Sequence, residues 1–492
     1  MWAEVDIRSG LPAFTIVGLG DAAVRESRER VRAALLNCGF EFPARRITAN
    51  LAPAALRKVG PGFDLALAAA ILAASGQVPA QELERWAVFG ELSLGGELRP
   101  CRGALAVAEG TRRAGLAGLV LPREHAVEAA LIEGIVVAGV DGLAGMAELL
   151  RGGEVPAAPT RSPPGAPGVW TAGDPDLADV RGHAAPLRAL EVCAAGGHNL
   201  LLEGAPGTGK TMLARRLPSI LPPLTGAEAI EVTRIHGVAG LHEGGGLVGR
   251  RPFRAPHHTI SASGLVGGGS VPRPGEASLA HNGVLFLDEL SEFTRPALEA
   301  LRQPLEDGRV SIVRGQVSCV YPSRFLLVGA TNPCACGFAA QPERCTCSEA
   351  DVARHRRRLS GPLLDRMDLT VSVERVPVAD LKDGASVTSQ TVRERVLAAR
   401  ERQARRLAGT PAICNGQMDA GLIRAHVAMT RGAERTLLEA YERTALSTRG
   451  HHRVLRVART LADLAGSDRV DVEHANFALS LRHRDVVGEV AA

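Results

Sequence analysis

The amino-acid sequence predicts an α/β protein with a covered parallel β-sheet at its centre and a helical C-terminal region. Short apolar runs such as Val284–Leu287 each end in a polar motif, and segments with helical periodicity separate them. A Pro/Gly/Ala-rich segment, residues 152–175, sets apart a smaller α/β region before it. Beyond about Val376 the strand patterns end and apolar residues recur at helical spacing.

The length of the chain predicts more than one domain. A single hydrophobic core stops growing near ~250–300 residues, and the chain has 492 residues. We therefore expect an N-terminal α/β domain at residues 1–151, a linker at 152–175, a central α/β core at 176–375 and a helical domain at 376–492. The net charge of +4 is small for this length, so any nucleic-acid site requires a local concentration of arginine.

The N-terminal sequence has no basic segment followed by an apolar one, so it shows no secretory signal and a cytoplasmic protein is expected. The longest apolar run, Leu65 to Ala74, is far shorter than the ~20 residues that a membrane-spanning helix needs. No membrane association is therefore predicted.

The predicted elements follow from apolar periodicity. In the N-terminal region they are the strands Phe14–Val17, Ile47–Asn50, Trp86–Phe89, Gly118–Leu121 and Ile135–Ala138, with the helices Ala22–Asn37 and Asp64–Ala74. In the central region the predicted strands are Asn199–Leu202, Val284–Leu287 and Phe325–Gly329. The C-terminal helices are predicted at Thr391–Arg406, Ala433–Ala445, Leu455–Leu464 and Val472–Leu481.

A glycine-rich motif follows the first central strand. It consists of Gly204, Ala205, Pro206, Gly207, Thr208, Gly209, Lys210 and Thr211, and fits the P-loop pattern between a strand and a helix. Its glycines allow backbone N–H groups to face phosphate oxygens at the positive end of the following helix. Lys210 is expected to contact the β- and γ-phosphates, and the Thr211 hydroxyl to bind Mg²⁺. The motif predicts ATP and Mg²⁺ as ligands.

Polar residues follow the next two central strands, where ligands of open α/β sheets gather. Asp288 is expected to hold Mg²⁺, directly or through water, and Glu289 to polarise the attacking water. Asn332 follows the third strand and is expected to sense the γ-phosphate or to position that water. A turn-forming role for Asn332 before Pro333 is the alternative.

Four of the nine cysteines cluster at Cys334, Cys336, Cys345 and Cys347. Gly337 and Pro342 between the pairs allow the chain to fold back, and four thiolates suit tetrahedral Zn²⁺. The Cys-x-Cys spacing is tighter than the usual Cys-x₂-Cys, so reduced thiols without metal are the alternative. Of the two, we predict that the four cysteines bind a structural zinc ion.

Longer strings resemble the YifB/ComM family of magnesium-chelatase-like AAA+ ATPases, and the likeness extends from near residue 5 to the C-terminus. The strings are Asp176–Gly182, Arg251–Ser261, Arg273–Gly283, Leu301–Arg309 and Leu359–Leu369. The resemblance implies a P-loop AAA+ core with a helical lid, and an ATPase ring that is usually hexameric. It also implies an arginine finger at Arg366, and a sensor-2 arginine at Arg456 with Arg453 in reserve.

The first 150 residues resemble the Lon-protease-type domain that this family carries. The segments that hold the serine nucleophile and the lysine in active proteases read here Val59–Asp64 and Pro100–Leu105, with Gly62 and Leu105 at the key places. The domain is therefore expected to be proteolytically dead and to serve as a structural or protein-docking surface. Relatives usually extend further upstream, so the resemblance also implies a missing first strand.

Two classes of substrate fit the resemblance. ComM-type members resemble DNA helicases that extend imported strands by branch migration during natural transformation. An Arg-rich insertion with Arg254 and a hairpin with Arg309 and Arg314 are expected to line a ring pore and contact DNA. Against this, Tyr321 is the only aromatic residue near the hairpin for base stacking. The alternative is remodelling of a partner protein, as in magnesium-chelatase and MoxR-like motors, although chelatase motor subunits lack the Lon-type domain.

Overall fold

The computed structural model describes residues 1–18, 20–54, 58, 60–156, 170, 173–242, 246–269, 272–314, 317–339, 343–358, 361–377, 387–443 and 447–482. The chain divides into two compact units. The N-terminal unit comprises residues 1–167, 225–249 and 313–319, and the P-loop unit comprises residues 168–224, 250–312 and 320–492. Most of the predicted linker at residues 152–175 lies outside the described residues.

The first 150 residues form alternating strands and helices. The strands are β1 (Trp2–Arg8), β2 (Ala13–Val17), β3 (Arg46–Ala52), β4 (Trp86–Val88), β5 (Glu91–Leu92), β6 (Leu98–Arg99), β7 (Gly118–Pro122) and β8 (Val136–Val140). The helices are α1 (Ala22–Asn37), α2 (Asp64–Ala74), α3 (Ala104–Arg113), α4 (Arg123–Ala129) and α5 (Leu143–Leu150). All the strands and helices predicted for this region are confirmed within about two residues.

Two small sheets and a buried helix organise the N-terminal unit. Strand β3 lies between β1 and β2, and β7 lies between β4 and β8 with all three parallel. Helix α2 is apolar on every side, and Leu65, Leu67 and Ile71 are fully buried in the core beneath the first sheet. The longest apolar run of the sequence is thus a core helix. No helix among the described residues is long and apolar enough to span a membrane.

The remainder of the chain contains a second set of elements. The strands are β9 (Leu200–Glu203), β10 (Phe253–Arg254), β11 (Gly267–Gly268), β12 (Arg273–Pro274), β13 (Val284–Leu287), β14 (Arg309–Arg314), β15 (Val317–Pro322), β16 (Leu326–Thr331) and β17 (Leu369–Ser372). The first helices are α6 (Ala184–Gly196), α7 (Lys210–Ile220), α8 (Gly226–Ala239), α9 (Ala262–Val266), α10 (Glu276–Leu279), α11 (Arg295–Ala300), α12 (Arg302–Asp307), α13 (Glu349–Arg358) and α14 (Gly361–Leu364). The C-terminal helices are α15 (Ser389–Arg406), α16 (Ala420–His426), α17 (Arg431–Arg443), α18 (Thr448–Leu464) and α19 (Val472–Ser480).

A five-stranded parallel sheet forms the centre of the P-loop unit, in the order β10-β13-β16-β9-β17. Successive side chains of each strand enter different cores, because neighbours in a strand point to opposite faces. In β13, Val284 and Phe286 join one core, whereas Leu285 and Leu287 join the other. Burial on both faces explains the continuous apolar runs in the sequence. The predicted parallel sheet is confirmed, with β10 and β17 as additional strands.

The helical C-terminal region packs through the same core as one face of the sheet. Helices α15 and α18 lie against α6, and Gln403 in α15 donates a hydrogen bond of 3.0 Å to the Ala195 carbonyl. Val396 and Val457 are buried with Leu200 of β9 in one cluster. The predicted helices of this region are confirmed, although α18 begins seven residues earlier than predicted, at Thr448 rather than Leu455. The predicted hairpin is also confirmed as β14 and β15, with Gly315 outside the described residues.

Helix α8 belongs to the N-terminal unit although it follows α7 in the chain. Its Ile230 packs against the core formed by α3 and α4. Its Arg234 forms an ion pair of 2.5 Å with Glu109 of α3, and this pair lowers the pKa of Glu109 against the opposing effect of burial. The segment between α7 and the sheet strand β10 is therefore anchored on the N-terminal unit.

Candidate nucleotide and metal sites

The P-loop motif lies between β9 and α7, as the sequence predicts. Gly209 has φ +91°, a left-handed conformation that suits glycine, and it directly precedes the first residue of α7. A side chain at Gly204 would overlap the carbonyl oxygen of Val373. The loop can therefore place its backbone N–H groups at the positive end of α7, which is the arrangement that binds phosphate.

Lys210 is folded back onto the loop. Its Nζ donates to the carbonyl oxygens of Gly204 at 2.7 Å and Ala205 at 2.9 Å, and to Oδ1 of Asn332 at 3.1 Å. Among the described residues no carboxylate lies within ion-pair distance of this ammonium. Burial lowers the pKa of Lys210, while the more distant charges of Asp288 and Glu289 raise it. A mostly buried cation held by neutral oxygens is a natural partner for an anionic phosphate.

The predicted magnesium ligands meet at the adjacent strand end. The Thr211 hydroxyl donates a hydrogen bond of 2.6 Å to Oδ2 of Asp288, which directly follows β13. Asn332 directly follows β16, the strand between β9 and β13. The C-terminal ends of three neighbouring parallel strands thus bring together Lys210, Thr211, Asp288 and Asn332, as the sequence predicts.

Glu289 has a partner that the sequence did not reveal. Its φ is +50°, which is uncommon for a residue other than glycine, and its Oε2 lies 3.1 Å from Nδ1 of His258. Arg254 of β10 pairs with Leu285 of β13, and His258 and Glu289 each lie four residues further along (258 − 254 and 289 − 285). The parallel register of an edge strand was the missing signal. The histidine can orient the carboxylate by a hydrogen bond.

The two predicted arginines of the ring sites are engaged within the chain. Arg366 forms an ion pair with Glu306 of α12, and burial together with Arg302 and Arg449 lowers its pKa. Arg456 donates to the carbonyl oxygen of Gly416 at 2.6 Å, and its Nη2 lies 3.6 Å from Oδ1 of Asp368. The alternative sensor, Arg453, is buried, and burial lowers its pKa. The roles of Arg366 and Arg456 toward a nucleotide stay predictions.

The four clustered cysteines come together in a second site. Their sulfur atoms all lie within 4.8 Å of one another, with separations of 3.3 Å for Cys334–Cys336, 3.6 Å for Cys336–Cys345 and 3.9 Å for Cys334–Cys345. A tetrahedral Zn²⁺ with four sulfur ligands at about 2.3 Å requires sulfur separations of about 3.8 Å. The arrangement therefore fits zinc, and Cys347 completes the set of four.

The polarity around these sulfurs also favours a cation. Backbone hydrogen bonds from Phe338 and Thr346 lower the pKa of Cys336 to about 5. A backbone hydrogen bond with Cys336 lowers the pKa of Cys347, but hydrogen bonds with the neighbouring sulfurs and the charge of Cys334 outweigh it and raise that pKa to about 11. Four adjacent thiolates repel one another, and a divalent metal ion removes this repulsion.

The candidate DNA-contacting residues differ in their surroundings. Arg254 forms two hydrogen bonds of 2.6 and 2.7 Å with Glu276, which raise its pKa and occupy its guanidinium. Arg309 is exposed on β14, whereas the side chain of Arg314 lies outside the described residues. Neighbouring insertion arginines are also engaged, because Arg250 pairs with Asp174 at 2.7 Å. We therefore retain Arg309 and Arg314 as candidates and set Arg254 aside.

Two polar side chains of the N-terminal unit, those of Ser27 and Lys58, are buried and contact backbone carbonyls. The Ser27 hydroxyl donates to the Ala23 carbonyl at 3.2 Å, and Lys58 donates to the Pro53 carbonyl. Both side chains are fully buried. A side chain at Gly62 would overlap the ring of Phe89. These contacts give Ser27 and Lys58 packing roles.

Comparison with known proteins covers nearly the whole chain. Three family profiles match: "Magnesium chelatase, subunit ChlI" at residues 176–381, "Subunit ChlI of Mg-chelatase" at 3–125 and "Magnesium chelatase, subunit ChlI C-terminal" at 386–482. The protein YifB of Salmonella typhimurium is 43% identical over 98% of this chain and 94% of its own length. The competence protein ComM of Haemophilus influenzae is 41% identical over 97% of this chain and 94% of its own length. The Holliday junction branch migration complex subunit RuvB of Saccharopolyspora erythraea is 30% identical over 36% of this chain and 48% of its own length.

Proposed function

Because the chain belongs to the YifB/ComM family of magnesium-chelatase-like AAA+ ATPases, we propose that it is an ATP-hydrolysing ring motor that acts on single-stranded or branched DNA. The observation that supports the ATPase part is the convergence of Lys210, Thr211, Asp288 and Asn332 at one sheet edge. Each of these groups suits one part of an ATP–Mg²⁺ complex.

The proposed roles follow from the positions of the groups. The N–H groups of Gly207, Thr208 and Gly209 hold the phosphates, and Lys210 exchanges its carbonyl contacts for the β- and γ-phosphates. Thr211 and Asp288 hold Mg²⁺ between them. Glu289 activates the attacking water as the general base, and Asn332 positions that water or the γ-phosphate.

The ring supplies the remaining groups in this proposal. Arg366 leaves its ion pair with Glu306 and reaches the γ-phosphate bound by a neighbouring subunit, and Arg456 acts from the helical lid. A homo-hexamer is the assembly that the family resemblance implies. In this proposal, Arg366 therefore reaches a nucleotide only when a neighbouring subunit is present.

DNA is the proposed substrate because one relative, RuvB, is named as a subunit of a Holliday junction branch migration complex, and the similar protein ComM is named as a competence protein. The net charge of +4 does not hold a polyanion, so contact is assigned to the hairpin arginines Arg309 and Arg314, repeated around a ring. The N-terminal Lon-type domain, residues 1–151, is proposed as a structural or protein-docking part without protease activity. We retain the linker at 152–175, the core at 176–375 and the lid at 376–492 as proposed boundaries.

Remodelling of a partner protein is the second candidate, because all three matching profiles describe a magnesium-chelatase subunit. The deciding experiment measures ATP turnover of the full chain alone and with single-stranded, forked and four-way-junction DNA. We expect branched or single-stranded DNA to accelerate hydrolysis. If basal hydrolysis is present and no DNA changes it or binds, the protein-remodelling function takes its place.

Structural zinc at the cysteine cluster is part of the proposal. Purified protein is expected to contain about one zinc per chain, because four thiolates form one tetrahedral site. Replacing Cys334 and Cys336 with serine should remove the metal, as measured by elemental analysis. Cys38→Ser, which changes a cysteine outside the cluster, is the matched control and should keep it. Metal-free native protein would exclude a structural zinc site.

A further inference from the structure

The segment that carries the four cysteines lies directly against the P-loop. We define the cysteine loop as residues 333–347, of which 340–342 lie outside the described residues. Gly337 in this loop has φ +85°, and a side chain there would lie 2.8 Å from Cγ of Pro206 and closer still to Cδ. The loop backbone is thus in van der Waals contact with the proline ring of the phosphate-binding motif.

The residue directly before this loop, Asn332, contacts Lys210. Asn332 accepts from the Lys210 ammonium through Oδ1, and its backbone oxygen lies 3.0 Å from Nε2 of His355 in α13. Two residues later Cys334 is fully buried and contributes to the sulfur cluster. Asn332 therefore lies between two ordered parts of the chain, with β16 directly before it and the cysteine cluster directly after it.

These two contacts connect a metal site with a phosphate site. None of the described residues of the cysteine loop lies in a helix or strand, so the segment has few regular backbone contacts of its own to hold it. Four metal–sulfur bonds would tie Cys334, Cys336, Cys345 and Cys347 together and restrict the segment, whereas without metal only weak contacts between sulfur atoms link them. The contacts of Gly337 and Asn332 with the P-loop motif therefore depend on a closed loop.

We propose that metal binding at the cysteine cluster and nucleotide binding at the P-loop are thermodynamically coupled through the contacts Gly337–Pro206 and Asn332–Lys210. The inference rests on the proposed ATP site and assigns the cysteine loop as its positioning segment. The metal-loaded loop holds the phosphate-binding motif in its competent form. Coupling is reciprocal, so bound nucleotide strengthens metal binding by the same factor.

The first test compares nucleotide affinity with and without metal. The full chain, loaded with zinc, is titrated with a fluorescent ADP analogue, then stripped by a chelator, titrated again and finally reloaded. We expect affinity to fall about tenfold on stripping and to recover on reloading, within the range of about 5–150-fold that couplings between sites show. Circular dichroism checks that the stripped protein keeps its secondary structure.

The second test measures the reverse effect, which a merely structural metal would not show. Zinc affinity is determined by competition with a chromophoric chelator, with and without saturating ADP. We expect ADP to raise zinc affinity by the same factor by which zinc raises ADP affinity. Equal zinc affinity in both conditions would overturn the coupling.

A substitution separates the contact from the metal. Gly337→Ala keeps all four cysteines but pushes the loop away from Pro206, so zinc content should stay at one per chain while ADP affinity falls. Gly409→Ala is the matched control, because Gly409 also has a positive φ, +80°, but nothing surrounds its missing side chain within 4 Å. It should leave both affinities unchanged.

The outcomes distinguish the inference from the proposed function. A zinc-loaded chain that binds no nucleotide would overturn the ATPase function and the coupling together. A chain that binds ADP equally well with and without zinc, or with Gly337→Ala, would overturn the coupling alone. Failure to bind zinc would also overturn the coupling and would leave the ATP site standing.

Discussion

The two units of the molecule use charged residues at strand ends in opposite ways. In the N-terminal unit, Arg123 and Asp141 follow the neighbouring parallel strands β7 and β8 and neutralise each other through contacts of 2.6 and 2.8 Å. In the P-loop unit, the hydrogen bonds of Lys210 within the described part of the chain go to neutral oxygens. Similar sheet edges thus differ in whether a charged side chain has an oppositely charged side chain as a hydrogen-bonding partner. Lys210, which hydrogen-bonds to neutral groups, marks the candidate site.

The largest expected effect, on nucleotide binding and turnover, comes from substitution of Lys210. Lys210→Ala removes the cation that we assign to the β- and γ-phosphates and should abolish nucleotide binding and turnover. Glu289→Gln removes the general base but keeps its size, so nucleotide should still bind while hydrolysis falls about 10²–10⁴-fold. A fluorescent nucleotide titration and a phosphate-release assay separate the two defects. Arg123→Ala, the matched change at the paired edge, should alter neither; equal losses in all three variants would remove the distinction between the edges.

Substitution of Arg366 tests whether this side chain, which pairs with Glu306 within one chain, contributes to ATP hydrolysis once the subunits assemble. Arg366→Ala should lower turnover on the order of 10³-fold, since arginine fingers supply 10³–10⁵-fold elsewhere. Mixing it with inactive Lys210→Ala protein should partly restore phosphate release, because each subunit lends its intact half of a shared site. Absence of restoration, after subunit exchange is verified by native mass spectrometry, would place the arginine in its own subunit's site.

The placement of the P-loop motif between a strand and a helix could be predicted from the sequence because strand–loop–helix motifs are local, whereas the roles of its residues stay predictions. Gly204–Thr211 and Asp288 lie at strand ends, and a parallel sheet necessarily aligns such ends. His258 was missed because its contact with Glu289 depends on the register of β10, a strand of two residues with no pattern of its own. The engagement of Arg254 by Glu276 was missed for a similar reason, since ion pairs between distant segments follow from tertiary packing.

Two features of the fold were not predicted, one because a local helix cap was overlooked and one because a contact between distant segments has no local pattern. Helix α18 was predicted to begin at Leu455, yet it starts at Thr448 because the Ser447 hydroxyl caps it by accepting from the Gly450 N–H. The polar run Arg449 to Arg453 obscured that start. Helix α8 follows α7 in sequence but packs with α3 through Arg234 and Glu109, which no local signal indicates.

His258 provides a further test at this sheet edge, because its Nδ1 lies 3.1 Å from Oε2 of Glu289, the proposed general base. His258→Ala should lower turnover about tenfold, the effect of losing one charge-assisted hydrogen bond of about 1.5 kcal/mol, and should leave nucleotide affinity unchanged. His426→Ala is the control, because it removes an imidazole at the end of α16, away from Glu289 in the chain. Faster turnover in His258→Ala would show that the histidine restrains the base rather than orienting it.

The smallest effect on basal turnover is expected from the hairpin, whose arginines are assigned to DNA rather than to ATP. Arg309 is exposed on β14, and if a six-membered ring places one such arginine per subunit on phosphate, it neutralises about six charges. Log affinity for single-stranded DNA should then fall with log salt concentration with a slope of about −4.

Replacing Arg309 and Arg314 together with alanine should flatten this slope and abolish DNA-stimulated hydrolysis, while basal hydrolysis stays intact because these residues lie outside the P-loop motif. Arg431→Ala with Arg435→Ala, which removes two exposed arginines of α17, is the charge-matched control for the assay. An unchanged slope in the hairpin variant would move DNA contact away from the hairpin, and a native ring without any salt-dependent DNA binding would favour a protein substrate.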